Sequence, residues 1–191
     1  MRKSWYNQRS MKSFLLFIWE ILKIVIIAAL IVFPIRYFLF QPFFVRGQSM
    51  EPNFENGDYL IIDEISYRFR EPKRGEVVVF KYPKNPSQRY IKRVIGLPGE
   101  TIEIRDGKVI ISNGEKSQVL DEKEYLSSNL STPGSIRVWL KWNEYFVLGD
   151  NRISSADSRQ WGPLLRENIV GRVYLRLWPL TALAKIEVPD Y

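Results

Sequence analysis

The sequence predicts a mainly β, antiparallel domain preceded by a single N-terminal transmembrane helix. Three observations predict it. Residues 14–33 are apolar apart from Glu20 and Lys23. Thr101-Ile102-Glu103-Ile104, Asp106-Gly107 and Val109-Ile110-Ile111 read as two alternating strands about a dipeptide that supplies positive φ. Past the apolar stretch, no segment repeats its apolar residues at helical spacing, so strands must build the core.

At 191 residues the chain supports one folded domain plus an anchor. It has neither Cys nor His, which removes disulfides, thiolate zinc sites and iron–sulfur clusters. Any metal would need an all-oxygen site, and no calcium-loop spacing is present. The formal charge of +7 is unevenly placed: Arg2, Lys3, Arg9 and Lys12 give the first 12 residues +4 with no acid, leaving +3 for all the rest. A nucleic-acid binder gathers its basic residues on the folded domain. A basic tail ahead of an apolar segment is instead the pattern of a cytoplasmic flank.

The expected organisation is a basic tail over 1–13, an anchor over 14–36 and a β-rich domain over 37–191. The strictly uncharged run, 24–35, is 12 residues, short of the ~20 that a spanning helix needs. Residues 14–33 reach that length if Glu20 and Lys23, three apart, share a helix face and pair, with Lys23 snorkelling to the interface. The competing readings are a helix lying in the membrane surface and a cleaved signal peptide. Pro34-Ile35-Arg36-Tyr37-Phe38 is too bulky for a small-x-small cleavage site, so the anchor is expected to be retained. Everything after Arg36 then faces outward.

Residues 38–45 leave the membrane as an extended, aromatic segment. Asn56-Gly57 signals a turn, and Tyr59-Leu60-Ile61-Ile62 reads as a strand. Val77-Val78-Val79-Phe80 is the next, broken by Pro83 and Pro86, and residues 90–95 follow. The alternating hairpin at 101–111 comes next, then a polar loop over 113–137, and strands at 145–148 and 170–177.

Ser49, in Gly47-Gln48-Ser49-Met50-Glu51-Pro52, is the candidate nucleophile. A serine hydroxyl attacks a carbonyl only when a base takes its proton. Without His or Cys, a Ser-His-Asp triad and a Cys-His pair are excluded, leaving lysine and the carboxylates. Lys92 lies 43 residues on, after Tyr90-Ile91 in an apolar strand. A strand lysine ordinarily sits on the solvated face, and a serine beside a glycine ordinarily serves a turn. In the chemical reading Lys92 points inward, where desolvation lowers its pKa from about 10.4 and frees the amine to act as a base. Strand alternation would then send Arg93 to the solvent side; the sequence alone does not decide which of the two points in. Residues 149–159 form a dense polar loop, either a capped turn held by Asp–Arg pairing or the source of a hydroxyl that orients the amine.

Three segments in this order resemble the type I signal peptidase family of membrane-bound serine proteases. They are Gly47-x-Ser49-Met50-x-Pro52; Arg74-Gly75-Glu76-Val77-Val78-Val79-Phe80 with Tyr90-Ile91-Lys92-Arg93-Val94-Ile95-Gly96-Leu97-Pro98-Gly99-Glu100; and Gly149-Asp150-Asn151-Arg152-x-x-Ser155-x-Asp157-Ser158-Arg159. The likeness runs from the anchor to about Val173, with 113–140 unmatched. It implies that Ser49 is the nucleophile, Lys92 the general base, Ser155 the holder of the amine, and Asp157 with Arg159 a structural ion pair. It also implies shallow pockets for small residues at −1 and −3, lined by Val45, Met50, Tyr90 and Ile91, between two strands that pair with an extended substrate.

The expected activity is removal of N-terminal signal peptides from exported preproteins, cutting after small residues (Ala at −3 and −1) through an acyl-enzyme. No cofactor or metal is implied. The partners are signal peptides and the lipid bilayer, not nucleic acid. The location is the cell membrane or a thylakoid membrane, with the N-terminus cytoplasmic and the catalytic domain extracytoplasmic. A self-cleaving Ser/Lys protease and an inactive anchored binding domain are the competing functions. Two positions depart from the family pattern: Gly47, where some members carry a serine as an oxyanion donor, and Asn53, where threonine is frequent.

Overall fold

The computed structural model describes residues 3–38, 40–114, 116–127 and 130–189. The chain divides into an N-terminal helix and a compact β unit. Helix α1 (Lys3–Phe38) takes in most of the basic tail as well as the apolar segment. Its stretch Phe14–Val32 has a mean hydropathy of 2.7 and none of it is buried, so it is long and apolar enough to cross a membrane. Within it Lys23 Nζ lies 2.7 Å from Glu20 Oε1, the pairing that the three-residue spacing predicts.

The β unit has two antiparallel sheets. The larger is built from β1 (Phe40–Phe44), β2 (Tyr59–Asp63), β3 (Val77–Tyr82) and β4 (Asn85–Gly96). The smaller takes the next four: β5 (Thr101–Arg105), β6 (Lys108–Asn113), β7 (Lys116–Val119) and β8 (Ile136–Trp139). The larger sheet then resumes with β9 (Glu144–Leu148), β10 (Leu164–Leu165), β11 (Ile169–Trp178) and β12 (Ala184–Lys185), and a single-turn helix α2 (Ser158–Trp161) precedes β10. Strand order in the larger sheet is β1-β2-β11-β3-β4-β9-β10 with β12 beside β11; in the smaller it is β7-β6-β5-β8.

The β5–β6 hairpin forms as the alternation predicts: Thr101 faces Ser112, Arg105 faces Lys108, and Asp106 and Gly107 take φ of 52° and 75°. Positive φ at both turn residues is the type I′ geometry that matches strand twist. Its inward residues Ile102, Ile104, Val109 and Ile111 form one core with Ile95, Phe146 and Leu148. Gly96 lets that core close, because a Cβ there would come within 2.6 Å of Ile102.

Strand β3 reads as an unbroken apolar run because both of its faces are covered. Val77 and Val79 enter a core with Val45, Met50 and Ile91, while Val78 and Phe80 enter another with Val94, Tyr145 and Val147. Each contributes roughly 1.5–3 kcal/mol of gross burial. The same double coverage extends to β4, and it corrects the expectation for Arg93. Lys92 does point inward, but Arg93 is buried on the opposite face rather than solvated.

Three expected boundaries shift. The chain is helical through Phe38, so the extended segment starts at Phe40. Strand β4 begins at Asn85 and contains Pro86, in an exposed half with one unpaired edge, where a strand tolerates proline. The polar region 113–137 is not all loop: β7 pairs with β6, and β8 pairs with β5 while packing Ile136 and Val138 onto the core.

Two open edges position the site. Among the described residues, strand β1 pairs only with β2, and β4 pairs with β9 only from Arg93 onward. The free edge of β1 and the free edge of β4 before Arg93 line a common cavity.

Candidate active site

The turn that carries Ser49 is fixed at both ends by backbone bonds. After β1, Val45 N donates to Asp58 O and Gly57 N donates back to Val45 O, each at 3.0 Å. Gly47 bends the chain at φ 88°, with its N–H donating to Asn56 Oδ1 at 3.0 Å. Glu51 N closes a turn onto Gln48 O at 3.2 Å. From the far side of the domain, Asn151 N donates to Ser49 O at 3.1 Å and Asn151 Nδ2 donates to Gln48 O at 3.0 Å.

Lys92 arrives from β4. Its Nζ donates to Ser49 Oγ at 2.7 Å and to Ile91 O at 2.8 Å, with the Tyr90 ring centroid 5.6 Å away. The side chain is 3% exposed. Burial drives its pKa down from the ordinary 10.5 to about 8, against the opposing pull of the Asp157 and Asp150 carboxylates. A lysine so placed reaches its neutral form near physiological pH. The contact that an ammonium makes as donor is then the one through which the free amine accepts the serine proton.

Asp157 and Arg159 form the ion pair named from the sequence, with Nε and Nη2 of Arg159 each 2.8 Å from the carboxylate. Asp157 also accepts Gly149 N at 3.1 Å and caps α2 through Arg159 N. Burial pushes its carboxyl up, but the Arg159 and Gly149 bonds outweigh that and hold it below the usual range. Ser155 is buried near Asp157, and its Oγ reaches no partner of ordinary hydrogen-bond geometry among the described residues. It therefore makes no hydrogen bond to the Lys92 amine in this conformation, although it comes close to the Ser49 loop. A Cβ built on Gly149 would lie 2.2 Å from Ser155 Oγ and 2.4 Å from Ser49 O, so only glycine fits between them.

The substrate-contact residues divide. Tyr90 and Ile91 line a cavity of about 800 Å³ together with Phe43, Ser49 and Lys92. Val45 and Met50 lie beneath it, fully buried in the core, and are not part of the lining. Sequence reasoning missed the groups behind the site. Asp150 takes a bidentate ion pair from Arg93, with Nε at 2.9 Å and Nη2 at 2.7 Å. It also accepts Asn53 Nδ2 at 2.8 Å, which gives that departure from the family pattern a structural role. Arg152 is fully buried, donating to Gly149 O and Thr132 and pairing with Glu122. The dense alternation of Asp, Asn and Arg in 149–159 was the available signal for this framework. Among the described residues, no cluster of three or more Asp and Glu could hold a metal ion.

The family description "Signal peptidase, peptidase S26" matches residues 18–178. The chain belongs to the signal peptidase family. This family of serine endopeptidases includes the "Probable signal peptidase I-2" of Synechocystis, 39% identical over 166 residues that cover 84% of this chain and 73% of that protein. The signal peptidase I of Leptolyngbya laminosa is 35% identical over 180 residues, 89% of this chain and 84% of its own. Among solved structures, a signal peptidase I from Enterococcus faecalis is 34% identical with a TM-score of 0.45, covering 55% of this chain and 97% of that one.

Proposed function

We propose that this signal peptidase is a membrane-anchored endopeptidase that cuts signal peptides from exported preproteins after small residues, with Ser49 as nucleophile and Lys92 as general base. The observation that carries the reading is the 2.7 Å contact between Ser49 Oγ and a buried Lys92 amine whose pKa falls to about 8. Neutral Lys92 takes the Ser49 proton as Oγ adds to the scissile carbonyl. The oxyanion forms beside the Ser49 N–H, since Gly47 offers no side-chain donor. Collapse expels the amine of the mature protein, which leaves with the proton from Lys92. Water, activated by the same amine, then releases the signal peptide and restores Ser49.

The open edges of β1 and β4 support binding by β-augmentation, in which backbone bonds hold substrates of varied sequence and Tyr90 and Ile91 shape the −1 and −3 pockets. The proposed domain plan is a cytoplasmic tail over 1–13, an anchor over 14–36 and an outward-facing domain over 37–191. It draws on the apolar stretch of α1 and on the four basic residues ahead of it. The anchor confines enzyme and substrate to one bilayer and so raises their effective concentration. In this reading Ser155, whose Oγ is taken by no other partner among the described residues, is the hydroxyl that holds the amine once substrate is bound, and Asp157 with Arg159 is the structural ion pair beneath the site.

The test is cleavage of a leader peptide with Ala at −3 and −1 by the full-length protein. Ser49→Ala and Lys92→Arg are each expected to lower kcat/KM by on the order of 10³-fold or more, because the pair acts as a unit and a guanidinium keeps its proton. Substantial turnover by Lys92→Arg would remove Lys92 as the base.

A further inference from the structure

The cavity beside Ser49 has a charge pattern that peptide-bond cleavage does not use. Arg46, Arg89 and Lys92 line it, and among the described residues no Asp or Glu does. Lys92 is committed to Ser49. Arg46 is exposed on the β1 side of the cavity and has no hydrogen-bond or ion-pair partner among the described residues. Arg89 is exposed on β4 and reaches across to β1, where Nη1 donates to Gln41 Oε1 at 2.8 Å. That acceptor is neutral, and no carboxylate is in ion-pair contact with the guanidinium among the described residues. The Glu64 carboxylate is within electrostatic reach of Arg89 but lies outside the lining, and burial pushes its pKa up against the pull of Arg89 and Arg68.

The position of Arg89 says which part of a substrate meets this charge. The unpaired edge of β4 ends where β9 begins to pair, at Arg93, so a substrate strand can run only along the residues before it. Arg89 sits three residues before Lys92, about 10 Å along an extended strand. If the substrate strand runs parallel to β4, with its scissile carbonyl at Ser49 and its −1 and −3 residues passing Ile91 and Tyr90, the next residues upstream pass Arg89. A guanidinium with unused donors is suited to a carboxylate and repels an ammonium.

We propose that Arg89, reinforced by Arg46, forms an anion-selecting subsite that favours substrates with an acidic side chain at −4 or −5 and disfavours a basic one there. The inference rests on the reading of Ser49 and Lys92 as the cleavage centre. The expected preference is that of an exposed ion pair, roughly three- to fivefold in kcat/KM, and it should shrink as salt screens it.

The experiment uses full-length protein in a non-ionic detergent and one leader peptide with Ala at −3 and −1, carrying Asp, Asn or Lys at −4 or, in a second set, at −5. Wild type should cut at least one Asp peptide about threefold or more faster than its Asn counterpart and the Lys peptide more slowly than either, with the spread narrowing at 0.5 M salt. Arg89→Gln should flatten the order and Arg89→Glu invert it; Arg46→Gln should reduce it. Both arginines are exposed, so these variants keep the core intact. Equal rates for Asp, Asn and Lys at both positions, or a preference unchanged in Arg89→Glu, would overturn the subsite while leaving the cleavage reading standing. Failure to cut the Asn peptides at all would overturn the cleavage reading and the subsite with it.

Discussion

Lys92 and Arg93 are consecutive residues of one strand, carry the same charge, and are both almost inaccessible to solvent. Their surroundings are opposite. Arg93 has the Asp150 carboxylate in bidentate contact, Gly75 O at 2.8 Å and the Tyr125 ring face at 4.1 Å. Lys92 has a serine hydroxyl, one carbonyl and no carboxylate in hydrogen-bond contact. A buried cation fully paired is a structural element; a buried cation left short of a counter-charge prefers to lose its proton. The difference between the two faces of β4 separates scaffold from proposed chemistry.

Replacing both cations with methionine gives the largest contrast. Lys92→Met should lower kcat/KM by on the order of 10³-fold or more and yet raise stability. A lysine whose pKa falls from 10.5 to about 8 on folding costs the folded state about 3 kcal/mol at pH 7. The unfolded chain holds the extra proton between pH 8 and 10.5, so the cost is full below pH 8 and fades as pH rises through that window. Methionine removes it, less whatever the two lost hydrogen bonds contributed, and the gain should vanish by about pH 10.5. Arg93→Met should do the reverse, costing about 3–5 kcal/mol by leaving Asp150 buried and unpaired. Thermal melts of the two variants at pH 7 and pH 10 check both signs; a destabilised Lys92→Met would mean that the lysine is not held against its ionised form.

A subtler break concerns the carboxylates that pull the amine back up. The pH profile of kcat/KM should rise along one limb with a midpoint near 8, as the Lys92 ammonium loses its proton. Asp157 is the leading group opposing that loss, so Asp157→Asn should shift the midpoint downward while the amide still accepts the Gly149 N–H. An upward shift would contradict the electrostatic account. The smallest effect is at Gly47. A Cβ there meets nothing within 4 Å, but φ of 88° strains any side chain. Gly47→Ala and Gly47→Ser should both lose about fivefold in kcat, the equivalent of ~1 kcal/mol of left-handed backbone strain. A serine variant above wild type would show that an added oxyanion donor outweighs the strain.

Elements whose local pattern matched their tertiary setting were legible in the sequence. The alternating hairpin, the apolar strands and the long apolar helix all announce themselves through periodicity and length. The absence of histidine and cysteine left only lysine and the carboxylates as bases; it was the resemblance to the signal peptidase family that singled out Ser49 and Lys92. Arg93 was misplaced because alternation says which residues share a face, not whether that face meets water; both faces of β4 are covered. Strand β7 was hidden because all four of its residues are exposed and it is held by its ladder to β6 alone. Strand β8 has only two inward residues, too few to stand out after a polar, Ser-rich run.

The bond from Asn151 to Gln48 spans 103 positions of chain, and its bond to Ser49 one fewer. At a synthesis rate of ~5–20 residues per second, about 5–20 s pass between the emergence of the nucleophile and that of the residue that fixes its loop. Through that interval the apolar helix and Ser49 already exist on the same nascent polypeptide, but the serine turn has only its local bonds and lacks those from Asn151. The protease therefore comes into being late and all at once, when most of its own chain has been made.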